Sequence, residues 1–134
     1  TSSSTATWQI PSSFINSGEI DGYTPITTTS GTDVQLSGMT ITLPAGTYMI
    51  WFTGDSGQSA AATGIIFSIY FNGSRITSSQ RTCGDQVSTA FEGFCCVARV
   101  TVNGSQAIQG MWRRISGTGT ASNSYRSISY LQVS

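Results

Sequence analysis

The chain has 134 residues, enough for one domain with a real core and too few for two ordinary ones. Charged residues make up only 9% of it and the formal net charge is zero, which argues against attraction to nucleic acid or an anionic membrane surface. All six cations are arginine (Arg75, Arg81, Arg99, Arg113, Arg114 and Arg126), and neither His nor Lys is present, so the usual general bases of enzymes are missing.

Thr1–Thr7 is Ser/Thr-rich and carries no core signal. The chain opens on Thr1 rather than Met, as a processed or excised chain does. Residues 8–22 scatter Trp8, Ile10, Phe14 and Ile15 among turn residues. We read residues 1–22 as an N-terminal arm or anchoring segment, in which residues 8–22 either lie along the barrel or dock on another protein through Trp8, Ile10 and Phe14, and residues 23–134 as the folded domain. From Tyr23 the pattern is β throughout. Short strands are expected over 23–29 and 33–36, broken at Ser30-Gly31, and then over 39–43.

Pro44-Ala45-Gly46 marks a turn, because Pro cannot donate to a ladder and Gly accepts positive φ. In the strand that follows, Tyr48, Ile50 and Phe52 alternate with Met49 and Trp51, so both of its faces are apolar and both need cover. Residues 54–64 read as a small-residue loop. Residues 65–71 place Ile65, Phe67, Ile69 and Phe71 on one face of a strand. Asn72-Gly73, before a strand over 75–78, is a type I′ hairpin signal.

A polar loop over 79–87 carries Cys83. A long strand or a bulged pair is expected over 89–102, with Gly93 as a bulge or a close-contact point. Asn103-Gly104 predicts a second hairpin, into a strand over 106–113. A loop over 115–125 leads to the last strand, 126–133, with Ile128, Tyr130, Leu131 and Val133 as its apolar residues. Eight to ten short strands with turns every eight to twelve residues give an all-β antiparallel sandwich or barrel. No apolar run approaches the roughly 20 residues that cross a bilayer. Three cysteines do not make a disulfide scaffold. A bridge from Cys83 to Cys95 or Cys96 and three separate thiols are both open.

The succession Pro44-Ala-Gly-Thr-Tyr48-Met-Ile-Trp-Phe52, then Ile65–Phe71 with Asn-Gly, then Val102-Asn-Gly-Ser105 into the next strand, and finally Ser127-Ile-Ser-Tyr-Leu-Gln-Val133, resembles the globular heads of complement and tumour-necrosis-factor type. The phrase Leu-Pro-Ala-Gly-Thr-Tyr is most similar to the version at the ends of bacteriophage fibre and head-decoration proteins. The resemblance covers roughly residues 31–134. It implies a jelly-roll sandwich that assembles as a homotrimer, with Tyr48, Phe52, Tyr70, Trp112 and Tyr130 as candidate liners of the threefold axis. It also implies a virion structural protein at the particle surface. The arm would attach to other virion proteins, and the distal loops would contact a host glycan or receptor. No collagen-like repeat precedes the head. A lectin-like carbohydrate-binding module and a secreted tumour-necrosis-factor-like ligand are the alternatives.

Little in the chain suggests chemistry. The acids Glu19, Asp21, Asp33, Asp55, Asp85 and Glu92 are mostly far apart in sequence. Gly54-Asp55-Ser56-Gly57 has no base to activate its serine. Without His, and with three Cys, zinc is not expected. Asp55 and Asp85 are weak calcium candidates, and no metal or cofactor is assigned. Asn72-Gly-Ser and Asn103-Gly-Ser read as glycosylation sequons, which their turns explain without a glycan. Residues placed in distal loops and available to a ligand are Asp55, Gln58, Arg81, Asp85, Arg113 and Asn123. Arg113-Arg114, after Trp112 at a strand end, reads as a pair that salt-bridges a neighbouring subunit, the alternative being recognition of an acidic or glycan partner with Trp112 stacking on it.

Overall fold

Alternating β-branched and aromatic residues make strands here, and in a computed structural model describing residues 16–59, 64–84, 88–115 and 120–134 they build two antiparallel sheets packed face to face. In chain order the strands are β1 (Ser17–Gly22), β2 (Ile26–Thr28), β3 (Val34–Thr42), β4 (Gly46–Gln58), β5 (Ile65–Phe71), β6 (Ser74–Arg75), β7 (Arg81–Cys83), β8 (Ser88–Val102), β9 (Ala107–Arg114), β10 (Ala121–Asn123) and β11 (Arg126–Gln132). One turn of 3-10 helix, Thr77–Ser79, separates β6 from β7.

The first sheet is centred on β4. Along one edge β4 pairs with β8; along the other it pairs with β11 and, beyond it, with β10. β1 lies outside β11, and β2 lies outside β10. The second sheet runs β3-β9-β5, with β6 and β7 sharing the far edge of β5. The core lies between the sheets. Phe52 and Phe94 from the first meet Phe67 from the second, with Phe67 stacked on Phe94 at 3.6 Å between ring centroids and Trp112 beside Phe67 in its own sheet. Tyr48 is fully buried, and its hydroxyl donates to the Pro44 carbonyl at 3.0 Å, so the polar tip of the ring is satisfied.

Several elements differ from the sequence reading. Ser17–Gly22, expected within the arm, forms edge strand β1, paired residue for residue with β11. An edge strand with one half-buried apolar residue, Ile20, leaves almost no hydrophobic alternation to read. Residues 54–58 are not loop: β4 continues to Gln58 because β8 and β10 supply ladder partners on both sides. The strands expected over 33–36 and 39–43 are one strand, β3. Its register shifts between Gln35 and Thr40, around Gly38 at φ +79°.

The expected bulge at Gly93 is absent, since pairing with β4 runs unbroken through it and shifts only beyond Ser56. Asn72 (φ 50°) and Gly73 (φ 82°) form the expected hairpin. Asn103-Gly104 does not form a hairpin. It carries the chain from β8 in one sheet to β9 in the other, with the Asn103 carboxamide oxygen accepting from the Ser105 amide at 3.0 Å.

Gly54 is where two strands come too close for a side chain, because a Cβ there would run into the Tyr125 carbonyl oxygen. Gly54→Ala is expected to lower the urea midpoint by an amount equivalent to about 2–3 kcal/mol with the m-value unchanged. A midpoint within error of the parent would show that the β4–β11 junction yields freely.

Candidate functional site

Side chains alternate across a strand, so each of the two faces of the first sheet is fixed by residue parity. On β4 the even residues Tyr48, Ile50 and Phe52 point inward and are fully buried. The odd residues Met49 and Trp51 point outward and stay half-exposed. The register then defines three cross-strand rows on the outer face. Met49 lies between Arg99 of β8 and Leu131 of β11, with Ser17 of β1 beyond. Trp51 lies between Val97 and Ser129, with Glu19 beyond. Thr53 lies between Cys95 and Ser127, with Asp21 beyond. The result is an apolar stripe (Met49, Trp51, Val97 and Leu131) with a cation along one sheet edge and two carboxylates along the other. Those edges are separated by three strand spacings, about 14 Å. Beside the acidic edge, Glu19, Asp21, Tyr23 and Tyr125 help to line an open concavity of about 400 Å³.

The five residues expected to line a threefold axis do not lie on this face. Tyr48, Phe52 and Trp112 are no more than 2% exposed, already enclosed by their own chain, and leave no surface for a neighbour. Tyr130 points inward and packs edge-to-face on Tyr48 at 6.1 Å. Tyr70 lies on the outer face of the other sheet, where its hydroxyl donates to Asp33 at 2.5 Å. The correction is one of phase. The doubly apolar character of β4 is present, but Met49 and Trp51 carry its outward side.

The residues placed in distal loops also divide. Asp55 and Asn123 are structural. One Asp55 carboxylate oxygen accepts from the Ser124 and Tyr125 amides at 2.7 and 3.0 Å, and Asn123, fully buried, donates to the Asp55 and Tyr125 carbonyls. Gln58 is part of β4. Arg81 is exposed, but its guanidinium donates to the Ser78 and Gln80 carbonyls. Arg113 pairs with Asp33, and Trp112 cannot stack on a ligand beside it because Trp112 points into the core. Asp85, Trp8, Ile10 and Phe14 lie outside the described residues. Among the described residues no three His, Cys, Asp or Glu side chains gather as a metal site.

The cysteines are free thiols. Burial raises the Cys83 thiol above its ordinary value and pushes Cys96 up to about 12. Both are therefore held as unreactive thiols. Cys95 is exposed on the outer face of the first sheet. With a disulfide reagent at pH 8, at most one thiol per native chain should react, and all three after denaturation. Reaction of a second thiol in the native protein would contradict the burial of Cys83 and Cys96.

Neither a family model nor a curated protein matches the sequence. Among solved structures, the fold is similar to part of dimeric latent PorU from Porphyromonas gingivalis. The match has a TM-score of 0.50 and 10% identity, over 88% of this chain and 13% of the PorU chain. This chain therefore corresponds to a small part of that protein, and the likeness is one of fold.

Proposed function

We propose that this chain is a non-enzymatic, homotrimeric jelly-roll head displayed on a virion surface, with the outer face of its first sheet turned toward the threefold axis. The observation that carries the reading is that face: an apolar stripe between a cationic edge at Arg99 and an acidic edge at Glu19 and Asp21. Unlike charges on opposite edges suit a head-to-tail contact, in which the β8 edge of one copy meets the β1 edge of the next. Such contacts close into a ring when the rotation permits. Both edges lack a further strand partner among the described residues, and a ring would cover them.

The jelly-roll assignment is supported by the strand order β1-β11-β4-β8 against β3-β9-β5-β7, in which successive strands repeatedly change sheet. The virion role rests on the resemblance to fibre and head-decoration heads. Attachment to the particle falls to residues before β1. The absence of His and Lys from the composition supports a non-enzymatic role.

Charge reversal tests the interface. Arg99→Glu should weaken the trimer roughly tenfold or more, seen by sedimentation at low protein concentration, and adding Glu19→Arg and Asp21→Arg should restore it. An Arg99→Glu protein that sediments like the parent would rule out this face. Location is tested separately: an antibody to the chain should label the outside of intact particles, and no labelling would remove the virion role.

A further inference from the structure

The outer face of the second sheet carries a polar cluster that the assembly does not use. Asp33 sits immediately before β3, Arg113 is on β9, Tyr70 on β5 and Arg75 on β6, so three adjacent strands and the residue leading into β3 bring four side chains to the same face. The Asp33 carboxylate is the hub. Its side chain is only 8% exposed; Arg113 Nε lies 3.2 Å from one oxygen, and Arg75 reaches the other at 3.4 Å. The Tyr70 hydroxyl donates to that second oxygen. Arg75 also donates to the Gln80 side chain at 3.1 Å. Two guanidiniums around one carboxylate leave one positive charge in excess. Their side chains remain 37% and 25% exposed and border an open concavity of about 370 Å³, whose rim includes Gly31 and Thr32.

We propose that this concavity binds the carboxylate of an acidic sugar. Arginine presents five N–H donors in a planar fork, and only part of each fork is used by Asp33 and Gln80. The remaining donors can take a second carboxylate in the bidentate manner. Asp33, itself held by the Tyr70 hydroxyl, keeps the forks in place beforehand, so little side-chain entropy is lost when a ligand arrives. A single excess positive charge matches a singly charged carboxylate better than a phosphate monoester, which carries about −1.5 to −2 at neutral pH. The size is at the small end of the roughly 300–1,000 Å³ usual for ligand sites, suited to one saccharide ring. Thr32 and the Tyr70 ring add a hydroxyl partner and a flat surface for such a ring. The site lies on the sheet opposite the assembly face and does not depend on oligomeric state.

The test is an amide and arginine-Nε NMR titration of the whole chain with free glucuronic acid and free N-acetylneuraminic acid. The methyl ester of glucuronic acid and acetate are run in parallel. The expected result is saturable shifts at Gly31, Thr32, Tyr70, Arg75 and Arg113, with a Kd on the order of 1 mM for at least one sugar acid. The ester and acetate should bind at least roughly tenfold more weakly. Arg75→Gln, at a half-exposed hairpin position, should weaken binding about tenfold to hundredfold. Tyr70→Phe offers a second variant that keeps the ring and loses the hydroxyl. Absence of shifts at these positions in the parent protein would overturn the proposal, as would unchanged binding in Arg75→Gln. Equal affinity for the ester would refute the carboxylate, and equal affinity for acetate would refute the sugar.

Discussion

Replacing Arg126 with alanine should destabilise the fold by about 3 kcal/mol, the largest effect expected from any single charged side chain here. Arg126 is 6% exposed and forms no ion pair among the described residues. Its Nε donates to the Ser37 carbonyl at 2.7 Å, and one terminal nitrogen donates to the Thr24 carbonyl and to the Asn123 side chain at 2.9 and 3.1 Å. Those acceptors belong to the segment before β2, to β3 and to β10, so one guanidinium ties three stretches of backbone to the start of β11. Alanine would take the donor from all three acceptors; the Asn123 side chain is fully buried, where an orphan costs about 1–3 kcal/mol, while the part-buried Ser37 and Thr24 carbonyls lose less because water reaches them. The melting temperature should fall by about 10 °C. Arg126→Lys should recover only part of this, since an ammonium cannot span the same fork. Because assembly would couple stability to protein concentration, both proteins should be compared at one fixed concentration. A loss below about 0.5 kcal/mol would mean that the segments are held by packing alone.

The second large effect is on assembly. Trp51→Arg should convert the proposed trimer to a monomer while leaving the fold intact. Trp51 is half-exposed on the outer face of the first sheet, so its replacement removes almost no core contact within one chain. In a threefold assembly the same substitution places three cations in an apolar, desolvated contact, which costs several kcal/mol. The matching control is Trp112→Ala. That side chain is 2% exposed and stacked near Phe67, and its loss should cost about 3–5 kcal/mol of folding stability. The two tryptophans thus separate the inner from the outer role. If Trp51→Arg instead unfolded the chain and left the remaining folded protein trimeric, the assignment of faces would be wrong.

That separation also marks where the sequence was legible. The doubly apolar strand at Tyr48–Phe52 and the inward set Ile65, Phe67 and Ile69 follow from period-two alternation, and both hold in the structure. The phase of β4 does not follow from alternation. Tyr48, Ile50 and Phe52 are as apolar as Met49 and Trp51, and only the second sheet, where Phe67 meets Phe52, decides which set faces inward. β1 carries no signal in the sequence because an edge strand needs little apolar content when β11 supplies its hydrogen bonds. The extension of β4 over Gly54-Asp-Ser-Gly-Gln58 was missed because small and polar residues have low strand propensity, which a ladder on both sides overrides. The Asp33–Tyr70–Arg75–Arg113 cluster had no local signal, because residues so far apart in sequence meet only once the strand order is known.

The central claim is that the outer face of the first sheet is an assembly face, and the mass of the native protein in solution tests it most directly. Light scattering with and without reductant should give three times the 14.1 kDa chain, about 42 kDa, in both conditions, because all three thiols are free. A monomer at 14.1 kDa under both conditions would contradict the account, and would leave Met49, Trp51, Val97 and Leu131 as half-exposed residues with no partner.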